Sequence, residues 1–338
     1  MKLLNNLFFA FYFSFFISLL CACGGGDKEK VVDGTVDGDR IIAEGVFFEV
    51  VGGYFDDDKL SVVGYDRAMT EVVIPGRVRV NDTVYIVSRI ESDAFEEGSD
   101  LTRIEIPNTV TYIGRRAFFN CYGLTHIDIP NSVTDIDSRA FWGCTSLTSI
   151  ELSNSLVDIG EEVFANCAAL VHITIPNSVT DIRFRAFVGC HGLTGVDIPV
   201  SVTSIGNDAF LGCRSLTSIT IPDSVTTIGS GAFSACISLT SIVVPDAVTS
   251  IDYQAFIDCT GLTDVVLPSS LTNVGSGIFY GCTSLRRVDV FWPEPISVYS
   301  VFGGDEGNRA TLYVPNGTRR LYVQHEGWEA FWSIMERD

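Results

Sequence analysis

Apolar and polar positions recur along most of this chain with a constant period of 23 residues. The unit reads L-T-x-I-x-I-P, then x-S-V-T-x-I-G, then x-x-A-F-x-G-C, and it first appears at Leu101. Eight contiguous copies fill residues 101–284 without an insertion or deletion. The later copies begin at Leu124, Leu147, Leu170, Leu193, Leu216, Leu239 and Leu262. A fixed period of this length predicts a repeat solenoid in which each copy forms one coil.

Each part of the unit predicts a local structure. Aliphatic residues at the fourth and sixth positions alternate with variable ones, as in a short strand with one buried face. The proline ends that strand because it has no amide hydrogen, although Ser153 replaces it in the third copy. The S-V-T-x-I-G segment predicts a turn with inward residues such as Val110 and Ile113. A-F-x-G-C predicts a short helical or 3-10 turn.

A phenylalanine occupies the same position in all eight copies and is expected to lie in the core. One coil cannot bury its apolar set alone, whereas stacked coils form a continuous core. These residues are Phe118, Phe141, Phe164, Phe187, Phe210, Phe233, Phe256 and Phe279.

The flank before the repeat predicts β structure. Met69 opens an earlier, longer coil, and alternating Val and Ile around Asn81 and Asp82 predict a hairpin. The alternating runs Val46–Val51 and Leu60–Tyr65 predict a second hairpin, which would cap the first coil.

The flank after the repeat predicts one strand and one helix. Leu312 opens a last strand in phase with the repeat. Trp328, Phe331, Trp332 and Met335 then follow at i, i+3, i+4 and i+7, which places them on one helix face. We expect this helix to cover the last coil, and a partner site on the helix is the alternative.

The first 22 residues predict an export signal. The apolar run from Leu7 to Leu20 has 14 residues, whereas a membrane-spanning helix needs about 20, so the run fits a signal-peptide core. A membrane anchor is the alternative. Leu20-Cys21-Ala22-Cys23 resembles the bacterial lipobox, with small Ala22 directly before Cys23. Cys23 is therefore the expected lipidation site, and incidental cysteines behind an ordinary signal are the alternative.

The segment after Cys23 is rich in Gly and Asp and poor in apolar residues. Such a composition predicts a flexible acidic tether as far as residue 40. The predicted organisation is a signal peptide at 1–22, the tether at 23–40, a β cap at 41–68, the solenoid at 69–308, and the last strand with the capping helix at 309–338.

Charge narrows the choice of partners. The formal net charge is −20, which argues against nucleic acid because phosphate binding requires clustered Lys and Arg. It also argues against docking on anionic lipid heads, so a lipid anchor is the only expected contact with a membrane. A basic or neutral macromolecule remains compatible with this charge.

The L-T-x-I-x-I-P and A-F-x-G-C blocks resemble the BspA-type bacterial leucine-rich repeat, over about Met69 to Pro315. The resemblance implies a solenoid on a secreted or surface protein, here exposed on the outer membrane. It also implies adhesion to host proteins or other cells for some members, and no catalytic residues.

Cysteines, histidines and motifs give no sign of catalysis or of a cofactor. Eight cysteines share one repeat position, where parallel Cβ directions favour a buried thiol column over disulfides. His126 and His172 lie two coils apart, about 10 Å, too far to share a metal. No nucleophile-elbow, zinc-protease or phosphate-loop motif occurs. Catalytic residues, metal ligands and cofactors are therefore not expected.

Two sets of outward positions form the candidate binding surface. Variable strand residues should face solvent along the solenoid, and the alternative, which holds for most of them, is a solvated position without a binding role. A second column follows the phenylalanines, and packing against the neighbouring turn is the alternative there. The candidate strand residues are Arg103, Glu105, His126, Asp128, Glu151, His172 and Asp197. The candidates from the second column are Trp142, Leu211 and Tyr280.

These features favour a non-enzymatic, adhesin-like module that binds a host protein, another cell or a glycan. A structural spacer or a subunit of an envelope assembly is the alternative from another class, and an enzyme is the third.

The lipidation hypothesis makes a direct prediction. Cys23→Ser should abolish acylation, because the thiol of the processed cysteine receives the lipid, while Cys21→Ser serves as the matched control. Metabolic labelling with a palmitate analogue measures this. Undiminished labelling of the Cys23→Ser protein would contradict the assignment.

Overall fold

The computed structural model describes residues 30–51, 58–298, 301–302, 309–328 and 331–337. The predicted signal peptide, Cys23 and the first part of the tether lie outside the described residues. The strands are numbered in chain order, and β9 to β24 divide between two ladders.

The N-terminal sheet contains most of the first eight strands. Their order is β1-β7-β8-β5-β4-β3-β2, and both predicted hairpins, β4–β5 and β7–β8, are antiparallel pairs. The strands are β1 (Val31–Asp33), β2 (Thr35–Asp37), β3 (Arg40–Ala43), β4 (Val46–Val50), β5 (Lys59–Tyr65), β6 (Glu71–Val73), β7 (Arg77–Val80) and β8 (Thr83–Ile90).

The predicted tether is wrong from residue 31 onwards. One continuous segment pairs with β7 through β1 and with β3 through β2, so it joins the two edges of the sheet. Val32 is buried. Gly34 lies so close to β7 that a Cβ atom added to it would come within 2.7 Å of the Cγ1 atom of Val78. The Gly- and Asp-rich composition did not indicate these two strands, because they are short edge strands with only one buried side chain between them.

The repeat forms two parallel ladders, although the sequence predicted one strand per copy. Ladder A consists of the L-T-x-I-x-I-P strands, which are paired in four separate groups, and the copy that begins at Leu216 has no strand at this position. The strands are β6 followed by β9 (Arg103–Glu105), β11 (His126–Asp128), β13 (Ser149–Glu151), β15 (His172–Thr174), β17 (Gly195–Asp197), β20 (Ser241–Val243), β22 (Asp264–Leu267) and β24 (Arg287–Val290).

Ladder B consists of two-residue strands where a turn was predicted. The preceding threonine donates its amide to the corresponding carbonyl one coil earlier, as from Thr203 to Thr180, and this bond fixes the register. The strands are the end of β8, β10 (Tyr112–Ile113), β12 (Asp135–Ile136), β14 (Asp158–Ile159), β16 (Asp181–Ile182), β18 (Ser204–Ile205), β19 (Thr227–Ile228), β21 (Ser250–Ile251) and β23 (Asn273–Val274).

The A-F-x-G-C segments are successive turns and not helices. The amide of Cys213 donates to the carbonyl of Phe210 three residues earlier, but Asp208 and Gly212 have positive φ angles and prevent regular helix. The amide of Phe210 meanwhile donates to the carbonyl of Ala232 in the next coil, at 2.8 Å. These hydrogen bonds therefore join each coil to the next along a third side, in addition to ladders A and B.

The core is a stack of phenylalanine rings, as predicted, and it extends to Phe95 and Phe302 at its ends. Neighbouring ring centroids lie 5.0 to 5.6 Å apart, and the planes differ by 4° to 17°. The eight cysteines are buried beside this stack and none forms a disulfide. Each thiol lies 3.0 to 3.3 Å from the carbonyl of the phenylalanine one coil earlier, to which it donates.

The prediction of a C-terminal helix with one apolar face is wrong. Ladder A continues through β25 (Thr311–Val314) and β26 (Ser333–Glu336), and the only helix in the described part of this region is the short α1 (Arg319–Val323). Trp328 and Phe331 are buried, but Trp332 and Met335 are 82% and 49% exposed. Met335 is a strand residue paired with Tyr313, so the helical spacing of these four residues is coincidental.

The stacked core gives a stability prediction. Phe210 is fully buried between Phe187 and Phe233, with centroids at 5.2 and 5.4 Å. Phe210→Ala should lower the free energy of unfolding by about 3–5 kcal/mol, because it leaves a cavity and removes two ring contacts. The exposed substitution Asp197→Ala should change it by less than about 0.5 kcal/mol. Urea unfolding measures both, and equal losses would contradict the solenoid core.

Candidate binding surface

The predicted strand residues lie on the outer face of ladder A, and all seven are exposed. Alternation places them there, since the residue between each pair, such as Ile127, points into the core. In register, His126 stands beside Ser149, and Asp128 stands beside Glu151. The ladder therefore brings Asp128 and Glu151 side by side.

Polar contacts between side chains organise this face. Arg103 Nη2 lies 2.6 Å from Glu105 Oε1, and His126 Nε2 lies 2.8 Å from Asp128 Oδ1. The histidine Nδ1 lies 2.8 Å from Ser149 Oγ on the next coil. Such exposed pairs contribute little stability but hold side chains in defined positions.

His172 makes a corresponding contact further along, with its Nε2 2.9 Å from Asp197 Oδ2. Each histidine is thus engaged with its own carboxylate. Within the described ranges, no group of three or more His, Cys, Asp or Glu side chains is arranged to hold a metal ion.

The second candidate column does not form a continuous exposed stripe. Trp142 and Leu211 are half-buried, Ala165 between them is fully buried, and Tyr280 is 50% exposed. Trp142 stacks on Phe119 with centroids 4.7 Å apart. Much of this column therefore packs against neighbouring turns, and its exposed part is discontinuous.

A depression on ladder B was missed by the sequence analysis. It has a volume of about 440 Å³ and lies where the ladder is interrupted between β12 and β14. Its lining residues are Tyr112, Thr134, Asp135, Ile136, Asp137, Ser138, Val157, Asp158, Gly160, Glu161 and Arg183. Aspartate at one repeat position in three successive copies, Asp135, Asp158 and Asp181, was the available signal.

Two neighbouring aspartates in this region have opposite electrostatic environments. Burial raises the pKa of Asp158, and the ion pair with Arg183 at 2.8 Å opposes this shift. The negative charges of Asp181 and Asp135 raise the pKa further. The hydroxyl of Ser204, donating at 2.6 Å, lowers the pKa of Asp181, and Thr180 adds to that effect. The two carboxylates are register partners on adjacent strands.

Comparison with known proteins identifies the repeat. The model of the BspA type leucine rich repeat region matches residues 81–194 and 181–296, in six copies. This chain belongs to the BspA-type leucine-rich repeat family. Proteins of this family are cell-surface proteins, and leucine-rich repeats in general are protein-interaction modules without catalytic activity.

Two solved structures of bacterial leucine-rich repeat proteins resemble this BspA-type solenoid. A leucine rich cell surface protein from Faecalibacterium prausnitzii is 25% identical with a TM-score of 0.56, and the match covers 90% of this chain and 95% of that one. A leucine-rich repeat protein from Bacteroides ovatus is 25% identical with a TM-score of 0.55, covering 88% and 99%. A search of curated proteins finds no match. Among the described residues, no helix is long and apolar enough to cross a membrane.

The aspartate pair predicts changes of opposite sign in the free energy of unfolding when each residue is replaced. A carboxyl whose pKa is raised on folding destabilises the fold at neutral pH, and one whose pKa is lowered stabilises it. Asp158→Asn should therefore raise the free energy of unfolding at pH 7, and Asp181→Asn should lower it, each by less than about 1 kcal/mol.

Both differences should shrink in acid. The destabilisation by Asp158 is lost as the pH falls from the raised native pKa of this carboxyl to below its unfolded pKa of about 3.9. The stabilisation by Asp181 is lost as the pH falls from about 3.9 through the lowered native pKa of that carboxyl. Urea unfolding at pH 7 and pH 3 measures this. Changes of the same sign at pH 7 would contradict the assignment.

Proposed function

We propose that this BspA-type protein is exported, lipid-anchored through Cys23 to the outer membrane and exposed at the cell surface. There it acts as an adhesin-like module that binds a host protein, another cell or a glycan. The single observation that supports binding is the contrast within ladder A. Inward residues barely change from coil to coil, whereas the outward ones range from Arg103 and Glu105 to Gly195 and Val243.

The geometry of ladder A favours a macromolecule over a small metabolite. Strands about 4.8 Å apart spread the outward residues over a long surface. Small molecules are usually enclosed in deep concave pockets, but the coils here are filled by stacked phenylalanines. Recognition would therefore be distributed over several coils, and single outward substitutions would have modest effects.

The acidic half of ladder A is the part we expect to contribute most to this binding. Glu105, Asp128 and Glu151 lie at one outward position in three successive copies, and all are exposed. Ladder B supplies a control of equal charge in Asp135, Asp158 and Asp181, of which Asp158 and Asp181 are half-buried. The two triplets lie on different sheets, so replacing either removes three negative charges without touching the other.

The test uses the chain from Lys30 onwards, since β1 begins at the next residue, on an array of extracellular matrix proteins and surface glycans. The triple change Glu105→Gln, Asp128→Asn, Glu151→Gln should weaken binding to the retained ligand about tenfold, or about 1.4 kcal/mol. The ladder B triple Asp135→Asn, Asp158→Asn, Asp181→Asn should bind as the unmodified protein does.

Other outcomes would point elsewhere. Equal losses from both triples would indicate non-specific charge attraction and contradict a ladder A site. Absence of binding to whole host cells and matrix, together with a weakened envelope in a deletion strain, would favour the structural spacer.

A further inference from the structure

Two of the four histidines of this chain lie in one outward column of ladder A, and each is bound to a carboxylate. His126 has its Nε2 2.8 Å from Asp128 Oδ1 and its Nδ1 2.8 Å from Ser149 Oγ. His172 has its Nε2 2.9 Å from Asp197 Oδ2 on the next coil. Both rings are therefore held on the face that the candidate binding residues occupy.

The coil after each histidine leaves room for the ring. The residue in register with His126 is Ser149, and the residue in register with His172 is Gly195. A Cβ atom added to Gly195 would lie 3.2 Å from His172 Nδ1, which is a crowded distance. The small residues at these two positions therefore allow each imidazole to lie across the next coil.

Both rings can gain a proton without losing their carboxylates. An ionised carboxylate only accepts hydrogen bonds, so Nε2 carries the hydrogen of the neutral ring and Nδ1 remains to take a second one. At His126 the Ser149 hydroxyl donates to Nδ1 and can turn to accept from it once the ring is protonated. At His172 no described residue donates to Nδ1. Protonation therefore changes the charge of this face and not its geometry.

The charged groups around the two rings are mostly acidic. They are Arg103 and Glu105 of β9, Asp128 of β11, Glu151 of β13 and Asp197 of β17. Four carboxylates and one guanidinium leave three net negative charges when both rings are neutral, and one when both are protonated. Histidine is the side chain that ordinarily changes charge between about pH 5 and 8. Mild acid therefore removes most of the negative charge of this part of ladder A.

We propose that the partner of ladder A is a lysine- or arginine-rich segment of a protein, and that His126 and His172 release it in mild acid. This rests on the proposed function, since the segment binds the acidic half of ladder A. Near neutral pH the uncharged rings leave the charges of Asp128 and Asp197 to attract the segment. In acid each imidazolium neutralises its own carboxylate and repels the segment. Binding of the segment in turn opposes proton uptake, because the coupling of two binding events is reciprocal.

The experiment measures binding of a rhodamine-labelled decalysine peptide to the full-length chain in a mild nonionic detergent. Fluorescence anisotropy gives the affinity at pH 7.5 and pH 5.5, and lysine stays charged at both because its ordinary pKa is about 10.4. Salt at about 0.01 M keeps the screening length near 30 Å. The unmodified protein should bind about tenfold more weakly at pH 5.5, because each charge gained about 6 Å from a lysine in water changes the affinity about threefold.

The four histidines provide matched double variants. His126→Gln with His172→Gln should bring the ratio of the affinities at the two pH values close to one. His191→Gln with His325→Gln removes as many rings outside ladder A and should keep the ratio of the unmodified protein. His126→Lys with His172→Lys fixes the positive charge and should bind weakly at both pH values. Asp158 of ladder B, whose pKa burial raises, is present in every one of these proteins, so its contribution cancels.

The triple change Glu105→Gln, Asp128→Asn, Glu151→Gln separates failure of the acid release from failure of the proposed surface. Undiminished binding of decalysine by this triple at pH 7.5 would contradict the acidic surface on which both proposals rest. Weak binding by the triple, with an unchanged pH ratio in His126→Gln with His172→Gln, would leave the surface standing and overturn the acid release. An unmodified protein whose affinity is the same at both pH values would overturn it equally.

Discussion

The constraint on which the structure depends is that no coil can bury its own apolar residues. A coil of 23 residues is one side chain thick along the solenoid axis, so the two faces of the Phe210 ring are covered by Phe187 and Phe233 of the neighbouring coils. Backbone hydrogen bonds between coils fix the spacing at which those rings meet, as between Phe210 and Ala232. The regular repeats keep a constant length, whereas the longer coil from Met69 accommodates its extra residues in the β7–β8 hairpin and still places Phe95 on the stack, 5.1 Å from Phe118.

The same geometry accounts for the eight buried thiols of this chain. Each cysteine donates to a carbonyl of the preceding coil, and burial raises the pKa of residues such as Cys190 to about 12. Disulfide exchange requires a thiolate that can reach a second sulfur. Burial therefore disfavours the thiolate that disulfide exchange requires, and it also keeps the thiols away from solvent. The thiols belong to the core in the same way as the phenylalanines.

The sequence predicted what repeats, and failed where structure depends on contacts between distant segments. The solenoid, ladder A and the stacked core followed from alternation and period. Ladder B did not, because two-residue strands such as Asp158–Ile159 form only when neighbouring coils supply the partners. Likewise Val31–Asp33 is a strand because β7 lies beside it, and Trp332 and Met335 belong to a last coil although their spacing is helical. The depression on ladder B depends on Arg183 reaching Asp158 one coil earlier, which no single unit reveals.

A frame built in this way leaves two kinds of position where function can vary without loss of the fold. One is the outward face, where the side chain of Asp197 contacts His172 and Thr174 of the preceding coil. The other is the end of the stack, where the last coil has no further coil beside it among the described residues. An end must be closed by residues outside the repeat, and here β26 meets α1 and the side chain of Arg319. The outward columns face solvent along the ladder, whereas the contacts that close the stack are made after the last regular repeat, so the two sets of residues do not overlap.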